Sequence, residues 1–131
     1  MSNENKYDLI MFGATGFTGK LVCEYINSKY SDGLNWAIAG RNINKLENLS
    51  NELGLSVPII ELDSNNESHV ENVLKQTCLI LTTVGPYQLY GNEIIKKCAE
   101  LGVHYVDLSG EPGWMHLMNA HKANAQQSGA K

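Results

Sequence analysis

The chain has 131 residues, of which 43% are hydrophobic and 18% charged, a composition typical of a folded globular domain and not of a disordered segment. Its formal net charge of −4 lacks the basic footprint of a nucleic-acid-binding protein, and no stretch is long and apolar enough to span a membrane. The three cysteines have no Cys-x-x-Cys spacing and indicate buried thiols in a reducing compartment, which predicts a cytoplasmic protein.

Apolar strand-like segments and amphipathic helix-like segments alternate along the whole chain. The polar residues 1–5 predict a frayed tail and lack the apolar region of a signal peptide. A capping box is predicted from Ser64 to Glu67. Strands are predicted at 7–12, 36–39, 57–62, 79–84 and 105–108, and helices at 17–28, 43–53, 92–101 and 112–128. A further short helix is predicted after the capping box, with Val70, Val73 and Leu74 on one face.

This alternation requires parallel strands with crossover helices on both faces of one sheet. The predicted fold is therefore α/β, a Rossmann-like doubly wound parallel sheet with strand order 3-2-1-4-5. A complete fold of this type usually has a sixth strand, and the chain stops just after Gly129, where that strand would begin. We expect residues 1–131 to form a single dinucleotide-binding domain, the N-terminal piece of a larger protein.

A glycine-rich turn follows the first predicted strand. Its G-x-x-G-x-x-G spacing is a variant of the dinucleotide-binding turn, whereas a P-loop fails because Ala14 and Leu21 replace its first glycine and its Ser/Thr. Free N–H groups and the helix dipole would hold a pyrophosphate there; the alternative is a turn without a ligand. We expect Gly13 to make the tight turn, Gly16 to admit the pyrophosphate and Gly19 to let helix and strand pack. The residues predicted to contact the cofactor in this turn are Gly13, Ala14, Thr15, Gly16, Phe17, Thr18 and Gly19.

The end of the second strand predicts which dinucleotide binds. An NAD site places Asp or Glu there to accept the ribose hydroxyls, but this chain has Gly40, Arg41 and Asn42. A guanidinium pairs bidentately with phosphate, so Arg41 is predicted to bind the 2′-phosphate of NADP, with NAD the less favoured cofactor. Lys45 adds a second positive charge. The alternative is a solvated surface arginine.

Two more strand ends carry candidate cofactor contacts. Asp63 closes the third strand, where it either accepts a hydrogen bond from the adenine amino group or serves as a turn residue. The run Val84, Gly85, Pro86 and Tyr87 closes the fourth strand beside the topological switch point. Gly85 would let ribose or nicotinamide approach the backbone. Tyr87 would stack on the nicotinamide side or donate its hydroxyl; the alternative is an aromatic packed in the loop.

With these pieces placed, the chain resembles the N-terminal domain of the saccharopine dehydrogenase-like oxidoreductases. The blocks that carry the resemblance span nearly the whole chain. Gly-Pro-Tyr followed by Val-Asp-x-Ser-Gly-Glu is much more specific than the glycine turn alone. The matching blocks lie at 8–19, 39–41, 84–87, 90–91 and 105–111.

The resemblance implies an NAD(P)-dependent oxidoreductase with a Rossmann domain and a second domain on the substrate side, which this sequence lacks. We therefore expect hydride transfer to or from a small-molecule substrate in the intact protein, and an inactive fragment. The alternative function is a non-enzymatic NADP-sensing or interaction module.

An exposed edge at the fifth strand would favour a homo-oligomer. No catalytic residue is assigned, and no metal, because His116 and His121 are five residues apart. Glu111 either lines the cleft or favours the N-terminus of the last helix.

Overall fold

The computed structural model describes residues 5–131, which contain one five-stranded parallel sheet. The strand order is β3-β2-β1-β4-β5, which confirms the predicted doubly wound topology. Residues 1–4 of the predicted tail lie outside the described residues. The strands are β1 (Tyr7–Phe12), β2 (Trp36–Gly40), β3 (Ile59–Glu61), β4 (Thr77–Thr82) and β5 (His104–Asp107).

The helices connect these strands and cover both faces of the sheet. The helices differ from the prediction in two features: a short helix follows β4, and the last helix is divided by a 3-10 turn at Asn119–His121. The strands predicted at 57–62 and 79–84 are also wrong in their bounds, since β3 has only three residues and β4 begins and ends two residues earlier. None of the helices within residues 5–131 is long and apolar enough to cross a membrane. The helices are α1 (Phe17–Tyr30), α2 (Ile43–Leu53), α3 (Glu67–Leu74), α4 (Tyr87–Tyr90), α5 (Asn92–Leu101), α6 (Pro112–Met118) and α7 (Lys122–Ser128).

The core consists of two layers separated by the sheet. Neighbouring residues of the central strand β1, Ile10 and Met11, are both fully buried and belong to opposite layers, because successive side chains alternate across a strand. Helices α1 and α2 contribute to the layer with Met11, and helices α3 and α5 to the layer with Ile10. A strand buried on both faces fixes the position of its carboxyl end, where the glycine turn begins.

Two helices begin at asparagine caps. The Asn42 carboxamide oxygen accepts the backbone N–H of Lys45 at 3.1 Å, and that of Asn66 accepts the backbone N–H of His69 at 3.1 Å. The predicted capping box at Ser64 is therefore wrong, because the helix begins two residues later and Ser64 itself is buried.

The three thiols do not share one environment. Cys23 and Cys98 are buried, as predicted, whereas Cys78 is exposed. The prediction of a third buried thiol is wrong because β4 buries Thr77 and directs the next side chain outwards, where the Asn5 amide lies 3.2 Å from the Cys78 sulfur.

Candidate cofactor-binding site

The glycine turn (Gly13–Gly19) begins at a position where any residue other than glycine would be strained. Gly13 has a φ of +102°, outside the range that L side chains adopt readily. A Cβ at Gly13 would lie 2.6 Å from Thr83 Oγ1, and that hydroxyl donates to the Gly13 carbonyl at 3.2 Å. The turn is thus packed directly against the carboxyl end of β4.

The other two glycines have different reasons to be glycine. A Cβ at Gly19 would overlap the Gly13 carbonyl oxygen, so its hydrogen side chain lets α1 approach the turn. Gly16 has a φ of −76°, and a Cβ there would meet no described atom closer than 3.6 Å. Protein packing therefore does not require glycine at position 16, and the space beside it is open.

The N-terminus of α1 lacks the side-chain cap that α2 and α3 have. Its N-cap is Gly16, which has no acceptor for the first-turn N–H groups. The Gly16 carbonyl accepts the first intrahelical bond from Lys20 at 2.9 Å, which leaves the N–H groups of Phe17, Thr18 and Gly19 without an intrahelical partner. Three backbone donors at the positive end of a 14-residue helix suit a phosphate group.

A cleft of about 200 Å³ extends from the glycine turn to the start of α2. Its wall combines the first three residues of the turn, the end of β2, the start of α2 and the residue two positions after β4. Six of the predicted cofactor contacts line it: Gly13, Ala14, Thr15, Arg41, Lys45 and Val84.

The cleft carries positive charge at its β2 end. Arg41 and Lys45 are exposed, and none of the ion pairs formed among residues 5–131 includes either of them. The Arg41 guanidinium carbon lies 6.0 Å from the centroid of the Tyr90 ring. Uncompensated cations at the mouth of a cleft attract an anionic ligand.

Asp63 lies outside the cleft lining in the part of the chain that the structure describes. Its Oδ1 accepts the backbone N–H of Asn65 at 3.0 Å, and its carbonyl accepts the N–H of Asn66 at 3.1 Å. These bonds match the turn interpretation of this residue. A hydrogen bond from Asp63 to adenine stays a prediction.

The loop after β4 divides its residues between the cleft and the core. Val84 lines the cleft, while Gly85 and Pro86 are exposed. Tyr87 is only 4% exposed; its hydroxyl donates to the Thr82 carbonyl at 3.2 Å, and its ring lies 5.5 Å from that of Trp114. Burial raises the pKa of Tyr87. These contacts match the packed-aromatic alternative, and neither stacking nor hydroxyl donation to the cofactor is tested by them.

Glu111 has a role that the sequence interpretation missed. Its two carboxylate oxygens accept the backbone N–H of Tyr87 at 2.7 Å and that of Gln88 at 3.2 Å, so it caps α4 and not the helix that it precedes. No local signal identifies this contact, because α4 lies more than 20 residues before Glu111. Nearby, the Tyr105 hydroxyl donates to Asp107 at 2.6 Å, and burial together with this bond raises the pKa of Tyr105.

Comparison with solved structures supports the fold. The triphenylmethane reductase of Citrobacter sp., solved in complex with NADP(H), superimposes with a TM-score of 0.68. The match covers 95% of this chain and 47% of that one, at 20% sequence identity. At this identity the similarity shows the shared Rossmann-like fold alone.

Comparison with known sequences supports the family. A Caenorhabditis elegans protein named lipid droplet localized protein is 39% identical over 122 residues, which cover 87% of this chain and 29% of the relative. Human saccharopine dehydrogenase-like oxidoreductase is 35% identical over 131 residues, which cover 89% and 30%. The chain thus spans less than a third of the length of these relatives. Residues 9–130 match the family described as the saccharopine dehydrogenase NADP binding domain, and the chain belongs to that family.

Proposed function

We propose that the chain binds NADP(H) in the cleft, with the pyrophosphate at the N-terminus of α1 and the 2′-phosphate at Arg41, as the cofactor-binding part of an oxidoreductase. One observation carries the proposal: the first three residues of the glycine turn, Gly13 to Thr15, and the cations Arg41 and Lys45 line the same cleft. NADP(H) has negative charge at its pyrophosphate and at its 2′-phosphate, and the two features offer a partner for each.

The choice of NADP over NAD follows from the charges at the end of β2. A guanidinium offers paired N–H donors to a phosphate, and Lys45 follows one helical turn later. An NAD site would have a carboxylate here, which would repel the 2′-phosphate. This chain has no carboxylate at these positions, which are Gly40, Arg41 and Asn42.

When bound, the nicotinamide cofactor exchanges a hydride with a substrate, and the protein orients it and excludes competing reactions. In this proposal the backbone of the glycine turn holds the pyrophosphate, Arg41 holds the adenosine end, and Val84 borders the path towards the nicotinamide. The groups that contact the small-molecule substrate are placed outside residues 1–131, because this chain covers only 30% of the human relative, which is named as an oxidoreductase. The proposal predicts NADPH binding without turnover by these residues alone.

The test is calorimetric titration of NADPH and NADH into the unaltered chain, Arg41→Ala and a control, Lys29→Ala, whose exposed cation lies in the last turn of α1. A charge-assisted contact is worth about 1.5–3 kcal/mol, so Arg41→Ala is expected to weaken NADPH binding by about ten- to a hundredfold. NADH binding should hardly change, and the control should bind both cofactors as the unaltered chain does. Equal affinities of the unaltered chain for NADPH and NADH would contradict the proposal.

A further inference from the structure

The side chains of Arg41 and Tyr90 lie close together, although the two residues belong to segments on opposite sides of the central strand. Arg41 follows β2, and Tyr90 ends α4, which follows β4; β2 and β4 flank β1 on its two sides. The guanidinium carbon lies 6.0 Å from the Tyr90 ring centroid, at the outer limit of a cation–π contact. The contact therefore reaches across the end of the sheet from which the glycine turn departs.

We propose that Tyr90 is a positioning residue for Arg41 and thereby a determinant of NADP(H) over NAD(H) selectivity; this inference rests on the proposed function. A guanidinium has two separate binding surfaces, a flat face and an edge of N–H donors. The face can lie on an aromatic ring while the edge pairs with a phosphate. In this proposal the Tyr90 ring restricts the conformations from which Arg41 offers its N–H donors to the 2′-phosphate.

Arg41 needs such a partner because little else restrains it. Its side chain is exposed, and within residues 5–131 it takes part in none of the ion pairs. A free arginine loses conformational entropy when it binds, and prior ordering removes part of that cost. The ring of Tyr90 supplies the ordering without adding a charge that would compete with the phosphate.

Tyr90 can act as a fixed support because α4 is anchored at its N-terminal end. Glu111 caps its N-terminus through Tyr87 and Gln88, and the ring of Tyr87 is buried against Trp114. The backbone N–H of Tyr90 donates to the Pro86 carbonyl at 3.2 Å. The helix that carries the ring is therefore joined to the β5–α6 loop and to the core.

The experiment measures dissociation constants of NADPH and NADH for the unaltered chain, Tyr90→Leu, Tyr90→Phe, Arg41→Ala and the double variant Arg41→Ala/Tyr90→Leu. Tyr30→Leu, a change of a half-exposed tyrosine at the end of α1, is the matched control. Tyr90→Leu is expected to weaken NADPH binding about two- to fivefold, the size of an exposed cation–π contact, without changing NADH binding. Tyr90→Phe keeps the aromatic face and should bind as the unaltered chain does.

The double variant separates positioning from a general structural effect. In the Arg41→Ala background, Tyr90→Leu should have no further effect on NADPH binding. The inference is overturned if Tyr90→Leu weakens NADPH and NADH binding equally, leaves both unchanged or strengthens NADPH binding. It is also overturned if Tyr90→Leu weakens NADPH binding just as strongly in the Arg41→Ala background. If Arg41→Ala itself spares NADPH binding, the proposed function fails; if Arg41→Ala weakens it and Tyr90→Leu does not, only the positioning role fails.

Discussion

The Glu111 carboxylate accepts the backbone N–H of Tyr87 at 2.7 Å, across a sequence separation of 24 residues. A second bond, from Gln88 at 3.2 Å, uses its other oxygen. One acidic side chain thereby satisfies two N–H groups of a helix that has no cap of its own.

Removal of this carboxylate should destabilise the fold. Glu111→Ala is expected to lower the free energy of unfolding by about 1–2 kcal/mol, the usual cost of losing a helix cap with a charged acceptor. Urea denaturation followed by circular dichroism measures the change. Glu47→Ala, an exposed position of α2, should stay within about 0.5 kcal/mol of the unaltered chain. Equal losses in the two variants would show that the cap contributes nothing.

The glycines at 16 and 19 should separate binding from folding. Gly16→Val should fold, because a Cβ there has open space, and should lose at least about tenfold in affinity for both cofactors, because it occupies the proposed pyrophosphate position. Gly19→Ala should instead be destabilised by about 1–3 kcal/mol, because its Cβ overlaps the Gly13 carbonyl. Circular dichroism establishes folding and NADPH titration measures affinity. A folded Gly16→Val that binds NADPH normally refutes the assignment.

The three thiols should differ in reactivity. Cys78 is exposed and should react readily, in the folded protein, with an aromatic disulfide reagent that releases a coloured thiolate. Cys23 and Cys98 should react only after denaturation. Burial raises the pKa of both buried thiols, so little thiolate forms there near neutral pH. Absorbance of the released thiol counts the reactive groups, and Cys78→Ser should abolish the rapid phase. Rapid reaction of a second thiol would contradict the burial.

The buried thiols also predict a loss of stability at alkaline pH. Burial, assisted by Glu24, raises the pKa of Cys23 from 9.0 to about 12. Between these values the unfolded chain releases this proton and the folded chain retains it, so the free energy of unfolding falls as pH rises. Urea unfolding at several pH values in this window should show a shallower decline in Cys23→Ala than in the unaltered chain. Parallel declines would exclude a contribution from Cys23.

The sheet could be predicted from the sequence because its determinants are local. The strand order follows from the alternation of strands and helices, which is typical of a doubly wound parallel sheet, and the turn at Gly13 follows from a backbone conformation that excludes side chains. The cations at Arg41 and Lys45 were found for the same reason, since the end of a predicted strand gives their place. These features need no knowledge of distant contacts.

The features that were missed depend on residues far apart in sequence. Helix α4 has only four residues, and its cap comes from Glu111. The single helix predicted at 112–128 is divided at Asn119–His121, and Leu117, next to the break, is 66% exposed. Tertiary contacts, which propensity and periodicity do not contain, decide both cases.

The close packing of Trp114 against α4 gives the protein an optical reporter of its own. The indole lies beside the Tyr87 ring, its N–H donates to Asn92 at 2.8 Å, and a Cβ at Gly91 would come within 2.7 Å of the ring. The second of the two tryptophans, Trp36, is buried in β2. In a Trp36→Phe background, emission from Trp114 alone would report movement of α4, so changes near the cofactor cleft could be followed without any attached dye.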